Sequence, residues 1–139
     1  MTAPPITILI IDDAAIARIV ACKVFADDKR FEVIATANDG IEGLKALETH
    51  HPQVILLDIE MPRMDGLQFL RIARAQCAAK IVVLSGKLLP GSTVARQAHE
   101  LGADAIFQKP SGTVSLDLDE ASGDDLRDAI FSLVNPDSK

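Results

Sequence analysis

The sequence predicts an α/β domain in which a parallel sheet carries helices on both faces. Three observations lead there. Five short apolar runs, rich in β-branched residues, alternate strictly with five stretches of helical periodicity. The runs are nearly continuous in apolar residues, the pattern of strands covered on both sides. The chain has 139 residues, 48% of them hydrophobic, which is enough for one ordinary domain with its own core. Strict alternation implies parallel strands joined by crossovers, with helices above and below the sheet.

Each element has its own signal. Residues 6–11 (ITILII) read as a first strand. Ile16, Ile19, Val20 and Val24 then recur at helical spacing. Residues 32–37 form a second strand, and Asn38-Asp39-Gly40 a turn. Ile41, Leu44 and Leu47 lie along a second helix that must end before Pro52. Residues 54–57 are a third buried strand, followed by a loop over 59–64. Asp65 with Gln68 three residues on resembles a capping box. Leu67, Leu70, Ala73 and Cys77 give that third helix its apolar side. Residues 80–84 are a fourth strand. Val94, Ala98 and Leu101 mark a fourth helix, which Gly102 is placed to close. Residues 105–108 are a fifth strand. Ser122 is read as the cap of a last helix carrying Leu126, Ile130 and Leu133. The irregular stretch 110–121 is rich in Ser, Gly and Asp and is long for a strand-to-helix loop. The expected boundaries are a tail over 1–5, one domain over 6–134, and a tail or start of a linker over 135–139.

Composition excludes several function classes. The net charge of −6 argues against nucleic-acid binding, which rests on Lys and Arg contacts to phosphates. Two cysteines, Cys22 and Cys77, in helical stretches suggest a reducing compartment more than a disulfide frame. No signal peptide and no run long enough to span a membrane is visible, so the expected location is cytoplasmic, without membrane insertion.

In an open α/β sheet, ligands bind at the carboxyl ends of the strands. Strand one ends in Asp12-Asp13, strand three in Asp58, strand four in Ser85, and strand five in Lys109 before Pro110. Any one of these is most simply a solvated or capping residue. Their recurrence at consistent strand ends, far apart in sequence, is what points to a site. Two carboxylates about 4 Å apart repel by roughly 4 kcal/mol at an effective dielectric near 20. Three of them call for a hard divalent cation, and Mg²⁺ binds one or two carboxylates together with a phosphate while keeping several waters. A carboxylate beside Mg²⁺ and a lysine is a nucleophile towards phosphorus. Lys109 can balance charge on phosphoryl oxygens, and the Ser85 hydroxyl can hydrogen-bond one of them.

These residues also carry a family resemblance. The segments IDDAAIAR, LLDIEMPRMDG, VVLSG and GADAIFQKP resemble the signatures of bacterial two-component receiver domains over about residues 6–134. The resemblance implies a flavodoxin-like (βα)5 fold with strand order 2-1-3-4-5. It implies that Asp58 is the phosphoacceptor, and that Asp12, Asp13, Asp58 and the backbone carbonyl of Glu60 hold Mg²⁺. It further makes Ser85 the switch hydroxyl, Lys109 the phosphate-contacting lysine, and a histidine kinase the phosphodonor. Within the family the chain is most similar to the N-terminal domains of chemotaxis protein-glutamate methylesterases. Glu60, Arg18 and the tail KPSGTVSLDL carry this narrower match. It implies a downstream methylesterase or other effector domain as partner. No Gly-x-Ser-x-Gly turn is present, so the chain itself is expected to lack esterase activity and to be a domain fragment or a stand-alone receiver.

Two positions depart from the family pattern. Ala14 stands where serine is common, and the aromatic switch position, three residues before the lysine, is Ile106 with Phe107 beside it. Strand alternation puts Phe107 on the opposite sheet face from Ile106, so it cannot take over the ring's place. Glu60 and Lys87 each follow a site residue by two positions, which suggests a salt bridge gating the mouth of the site. Glu60 also keeps open the alternative of a Mg²⁺-dependent aspartyl-nucleophile phosphatase, which places a second acid at that spacing. His50, His51 and His99 read as solvated surface residues, and Arg71, Arg74 and Lys80 as a polar face close enough to the site for partner contact.

Overall fold

The computed structural model describes residues 4–58, 66–85, 93–108 and 120–135. Their elements are β1 (Ile6–Ile11), α1 (Ala15–Ala26), β2 (Phe31–Ala37), α2 (Gly40–His50), β3 (Val54–Asp58), α3 (Gly66–Gln76), β4 (Lys80–Ser85), α4 (Thr93–Glu100), β5 (Ala105–Gln108) and α5 (Glu120–Val134). The five strands form one sheet in the order β2-β1-β3-β4-β5, and every pair is parallel. The (βα)5 fold with order 2-1-3-4-5 is therefore the one expected.

The three central strands are continuous apolar runs because both of their faces are covered. On one face Leu9, Ile11, Ile55, Leu57, Ile81 and Val83 pack under α2, α3 and α4, with Phe69 fully buried among them. On the other, Ile8, Ile10, Val54, Leu56 and Val82 pack under α1 and α5 against Phe25, Leu126 and Ile130. Helix α2 lies close to the sheet at Gly43, where an added Cβ would stand 2.6 Å from Ile11 Cδ1 and 3.1 Å from Phe69 Cε2.

Several local expectations need correction. Helix α5 begins at Glu120, so Ser122 lies inside its first turn and is not its cap. The expected N-cap Asp65 lies outside the described residues. Ile16 and Ile19 do not face the core: they are 47% and 55% exposed, and the buried side of α1 is Ala21, Val24 and Phe25. Cys77 falls one residue past α3 and packs half-buried against the core. The Asn38-Asp39-Gly40 turn is also a helix start. Asp39 Oδ1 accepts from the Glu42 N–H at 2.8 Å, and the Asn38 N–H donates to Glu42 Oε1 at 3.1 Å, a capping arrangement at α2. Gly102 closes α4 with φ of 111°, where a left-handed turn favours glycine.

The amino ends of the strands are held by ion pairs. Arg74 of α3 bonds Asp104 at 3.0 Å, and Asp104 Oδ2 also accepts from the Ile81 N–H at 2.8 Å, fixing the start of β4 against the start of β5. Arg74 is thus committed away from the strand ends where the acidic residues lie. Beneath α1 and α5, Asp28 holds Arg30 through paired bonds of 2.7 to 3.1 Å, and Arg127 donates to the Val24 carbonyl at 2.7 Å. The Arg30 hydrogen bonds hold the Asp28 carboxyl below its usual range, against a smaller opposing effect of burial. A lowered carboxylate pKa contributes stability that is present above the unfolded-state value and is lost as pH falls through the folded one. Asp28→Asn should therefore destabilise by at most about 1 kcal/mol at pH 7. In urea melts across pH, that difference should shrink towards zero in acid below about 3.9, the ordinary aspartate value. A difference that grows in acid would refute the assignment.

Candidate functional site

Strand register determines which residues meet at the carboxyl edge. Ile11 pairs with Leu57 and Asp58 with Leu84, so Asp12, Asp58 and Ser85 follow one another around the same rim. Ser85 pairs with Gln108 at the end of β5. Asp12, Asp13 and Asp58 do converge: one carboxylate oxygen from each lies within 4.8 Å of the others. Asp12 and Asp58 are buried, at 5% and 6% exposure, while Asp13 is exposed. Glu60, Lys87 and Lys109 lie outside the described residues.

Asp12 is held at three atoms. Its N–H donates to the Ala37 carbonyl at 3.1 Å, extending the β1–β2 ladder. Its Oδ1 accepts from the Ala14 N–H at 3.0 Å, and its carbonyl oxygen accepts from Arg18 Nη1 at 2.7 Å. The Asp12–Ala14 bond is an Asx turn that starts α1, whose N-cap Ala14 has no side-chain oxygen to do so. Arg18 was visible in the sequence only as part of a resemblance. Its bond to the Asp12 carbonyl had no sequence signal beyond a basic residue one helical turn past an acidic strand end.

Three carboxylates this close repel, each pair by roughly 3–4 kcal/mol at an effective dielectric near 20. The oxygen set suits a hard cation. The oxygens lie within 4.8 Å of one another, close enough for small side-chain adjustments to bring them round one hard cation. Among the described residues this is the one group of three or more metal-ligating side chains. An open cleft of about 480 Å³ lined by Leu47, His51, Pro52 and Cys77 lies at the opposite end of the sheet.

Ile106 and Phe107 fall on opposite sheet faces. Ile106 packs with the cluster that holds Ala98 of α4, and Phe107 with the cluster that holds Phe25, Leu126 and Ile130. Both are half-buried.

The response regulator receiver domain family matches residues 8–118, most of the chain. The chain is a response regulator receiver domain. A protein-glutamate methylesterase/protein-glutamine glutaminase of Rhodopseudomonas palustris is 44% identical to this receiver over 132 residues, covering 95% of the chain and 36% of the relative. One from Oleidesulfovibrio alaskensis is 41% identical over 117 residues, covering 84% and 33%. The receiver thus spans about a third of the length of these curated relatives. Among solved structures, the response regulator domain of Thermotoga maritima CheB superposes with a TM-score of 0.87 at 25% identity, covering 94% of this chain and 97% of that one. A chain from the complex of the CheA3 P1 domain with CheY6 of R. sphaeroides superposes with a TM-score of 0.78 at 40% identity, covering 96% and 99%. Among the described residues of the receiver, no helix is long and apolar enough to cross a membrane.

Proposed function

We propose that this receiver is the phosphoryl-controlled switch of a chemotaxis response regulator, phosphorylated on Asp58 by a histidine kinase. The observation that carries this is the convergence of Asp12, Asp13 and Asp58 at the carboxyl edge of the sheet. Kinship with a receiver solved with the CheA3 P1 domain supports a kinase donor. Kinship with the methylesterases supports an esterase domain as the controlled effector, with residues 6–134 as the receiver unit.

Asp12 and Asp13 would hold Mg²⁺ together with Asp58 and, by family analogy, the Glu60 carbonyl. When bound, the cation neutralises charge that gathers on the transferring phosphoryl oxygens. An oxygen of the Asp58 carboxylate forms the new P–O bond as the donor's bond to phosphorus breaks, and the leaving nitrogen or oxygen keeps the electron pair. Burial of Asp58 keeps that carboxylate largely out of water and fixes its direction of attack. Lys109 and Ser85 then contact the phosphoryl oxygens. Ile106, small and stiff at χ1, leaves switching to movement of the loop after Ser85. Glu60 and Lys87 gate the approach of hydrolytic water.

Incubation with acetyl phosphate and Mg²⁺, followed by intact mass, tests the reading. One phosphoryl adduct is expected. Rapid turnover of many phosphate esters would favour the phosphatase alternative, and no reaction at all would leave only a binding surface. Mg²⁺ alone should also stabilise the fold, because it relieves carboxylate repulsion and binds only the folded form. At ten to a hundred times its Kd the gain is about 1.4–2.7 kcal/mol. Thermal melts with and without Mg²⁺ check this, and an Asp13→Asn protein should show a smaller shift. Equal shifts in both proteins would count against Asp13 as a ligand.

A further inference from the structure

Arg18 stands in the first turn of α1, and its Nη1 reaches back 2.7 Å to the carbonyl oxygen of Asp12. That carbonyl lies at a junction. The β1 pairings end at Ile11, and the first acceptor of α1 is the Ala14 carbonyl, bonded by the Arg18 N–H at 3.1 Å. The Asp12 oxygen therefore falls between the sheet ladder and the helix ladder, and the guanidinium supplies its donor.

We propose that Arg18 is a positioning residue for the cation site: it fixes the Asp12 peptide so that the Asp12 carboxylate is presented to a divalent metal. The proposal rests on the receiver reading above. Two effects of Arg18 oppose each other. Its positive charge near the site repels a cation, whereas its hydrogen bond holds the ligand's backbone in the binding geometry. The bond dominates, for three reasons. Arg18 is half-buried as a residue, so its charge is partly screened by water. A charge-assisted bond at 2.7 Å is short, directional and strong for its kind. Two further holds on Asp12, from the Ala37 carbonyl and the Ala14 N–H, are backbone groups that a side-chain substitution leaves in place. Loss of Arg18 thus removes one hold on the Asp12 peptide and leaves these two backbone holds in place.

The test is Mn²⁺ binding, read by electron paramagnetic resonance of free Mn²⁺, on the full chain and its Arg18→Ala and Arg18→Lys variants. Arg18→Ala is expected to bind about tenfold more weakly, the usual loss when a group orienting a metal ligand is removed. Arg18→Lys, which keeps one charged donor, is expected to recover part of that loss. Melting in EDTA is the second readout. Arg18→Gln keeps much of the stem's packing and reads the same affinity if the alanine variant folds poorly. Unchanged or tighter Mn²⁺ binding by both Arg18→Ala and Arg18→Gln would overturn the proposal, since a charge effect then outweighs positioning. A lowered metal-free melting temperature with unchanged affinity would overturn it as well, leaving Arg18 a structural residue. If the unaltered receiver binds no Mn²⁺, the cation-site reading itself fails, which is distinct from failure at Arg18 alone.

Discussion

Asp58→Asn should abolish phosphoryl uptake while the fold survives. The substitution keeps size and shape at a position only 6% exposed, so the packing at the end of β3 is retained. What is lost is the nucleophilic oxygen and one of three mutually repelling charges. The amide is far too weak a nucleophile to form the acyl phosphate. With the repulsion reduced, the metal-free variant should be more stable than the parent, by on the order of 1 kcal/mol after water screens the pairs, and should melt at a higher temperature. Mg²⁺ should stabilise it less, because one ligand is now neutral. Intact mass after acetyl phosphate treatment, alongside thermal melts in EDTA and in Mg²⁺, reads all three effects. A variant that still gains one phosphoryl group, mapped to another residue, would remove Asp58 from the role assigned to it.

The sheet was readable from sequence because its signal is repeated. Each central strand must be apolar on both faces, and each carries the mark independently: ITILII, VILLD and KIVVLS share no sequence, yet all are rich in β-branched or aliphatic residues. The convergence of Asp12, Asp13 and Asp58 followed from the same source. Parallel register brings successive strand ends to one edge whatever the loops do. Rotation of α1 about its own axis was less readable. Periodicity groups Ile16, Ile19, Val20 and Val24, and of these the structure buries only Val24. Against Ile8 and Ile10 the helix instead packs Ala21, Val24 and Phe25. The start of α5 was also misjudged. Ser122 has the chemistry of a cap, but Glu120 and Ala121 are good helix formers and continue the helix beyond it.

The exposed pair left by that rotation gives a second large expected effect. Ile16 and Ile19 are three residues apart, so they share one face of α1, in the turns directly after Asp12-Asp13. A single exposed isoleucine needs no explanation, but two at 47% and 55% exposure beside the rim that holds Asp58 are apolar surface that a docking kinase would meet. On the proposed function, a kinase domain would bring its phosphohistidine within bonding distance of Asp58 and so would cover the surface next to it. A small phosphodonor has no such need. The double variant Ile16→Asp with Ile19→Asp should thus lose at least about tenfold in kcat/KM for transfer from a phosphorylated kinase P1 domain, since a buried apolar contact becomes two desolvated charges. Uptake from acetyl phosphate should stay within about twofold, the surface substitutions being energetically mild. Misfolding is a poor competing explanation, because both positions are exposed and the new carboxylate at position 16 falls in the first turn of α1, where the helix dipole favours negative charge by about 0.3–1 kcal/mol. Equal losses with both donors would mean that the aspartates disturb the acidic site electrostatically. No loss with either would mean that the kinase docks on another face of the receiver.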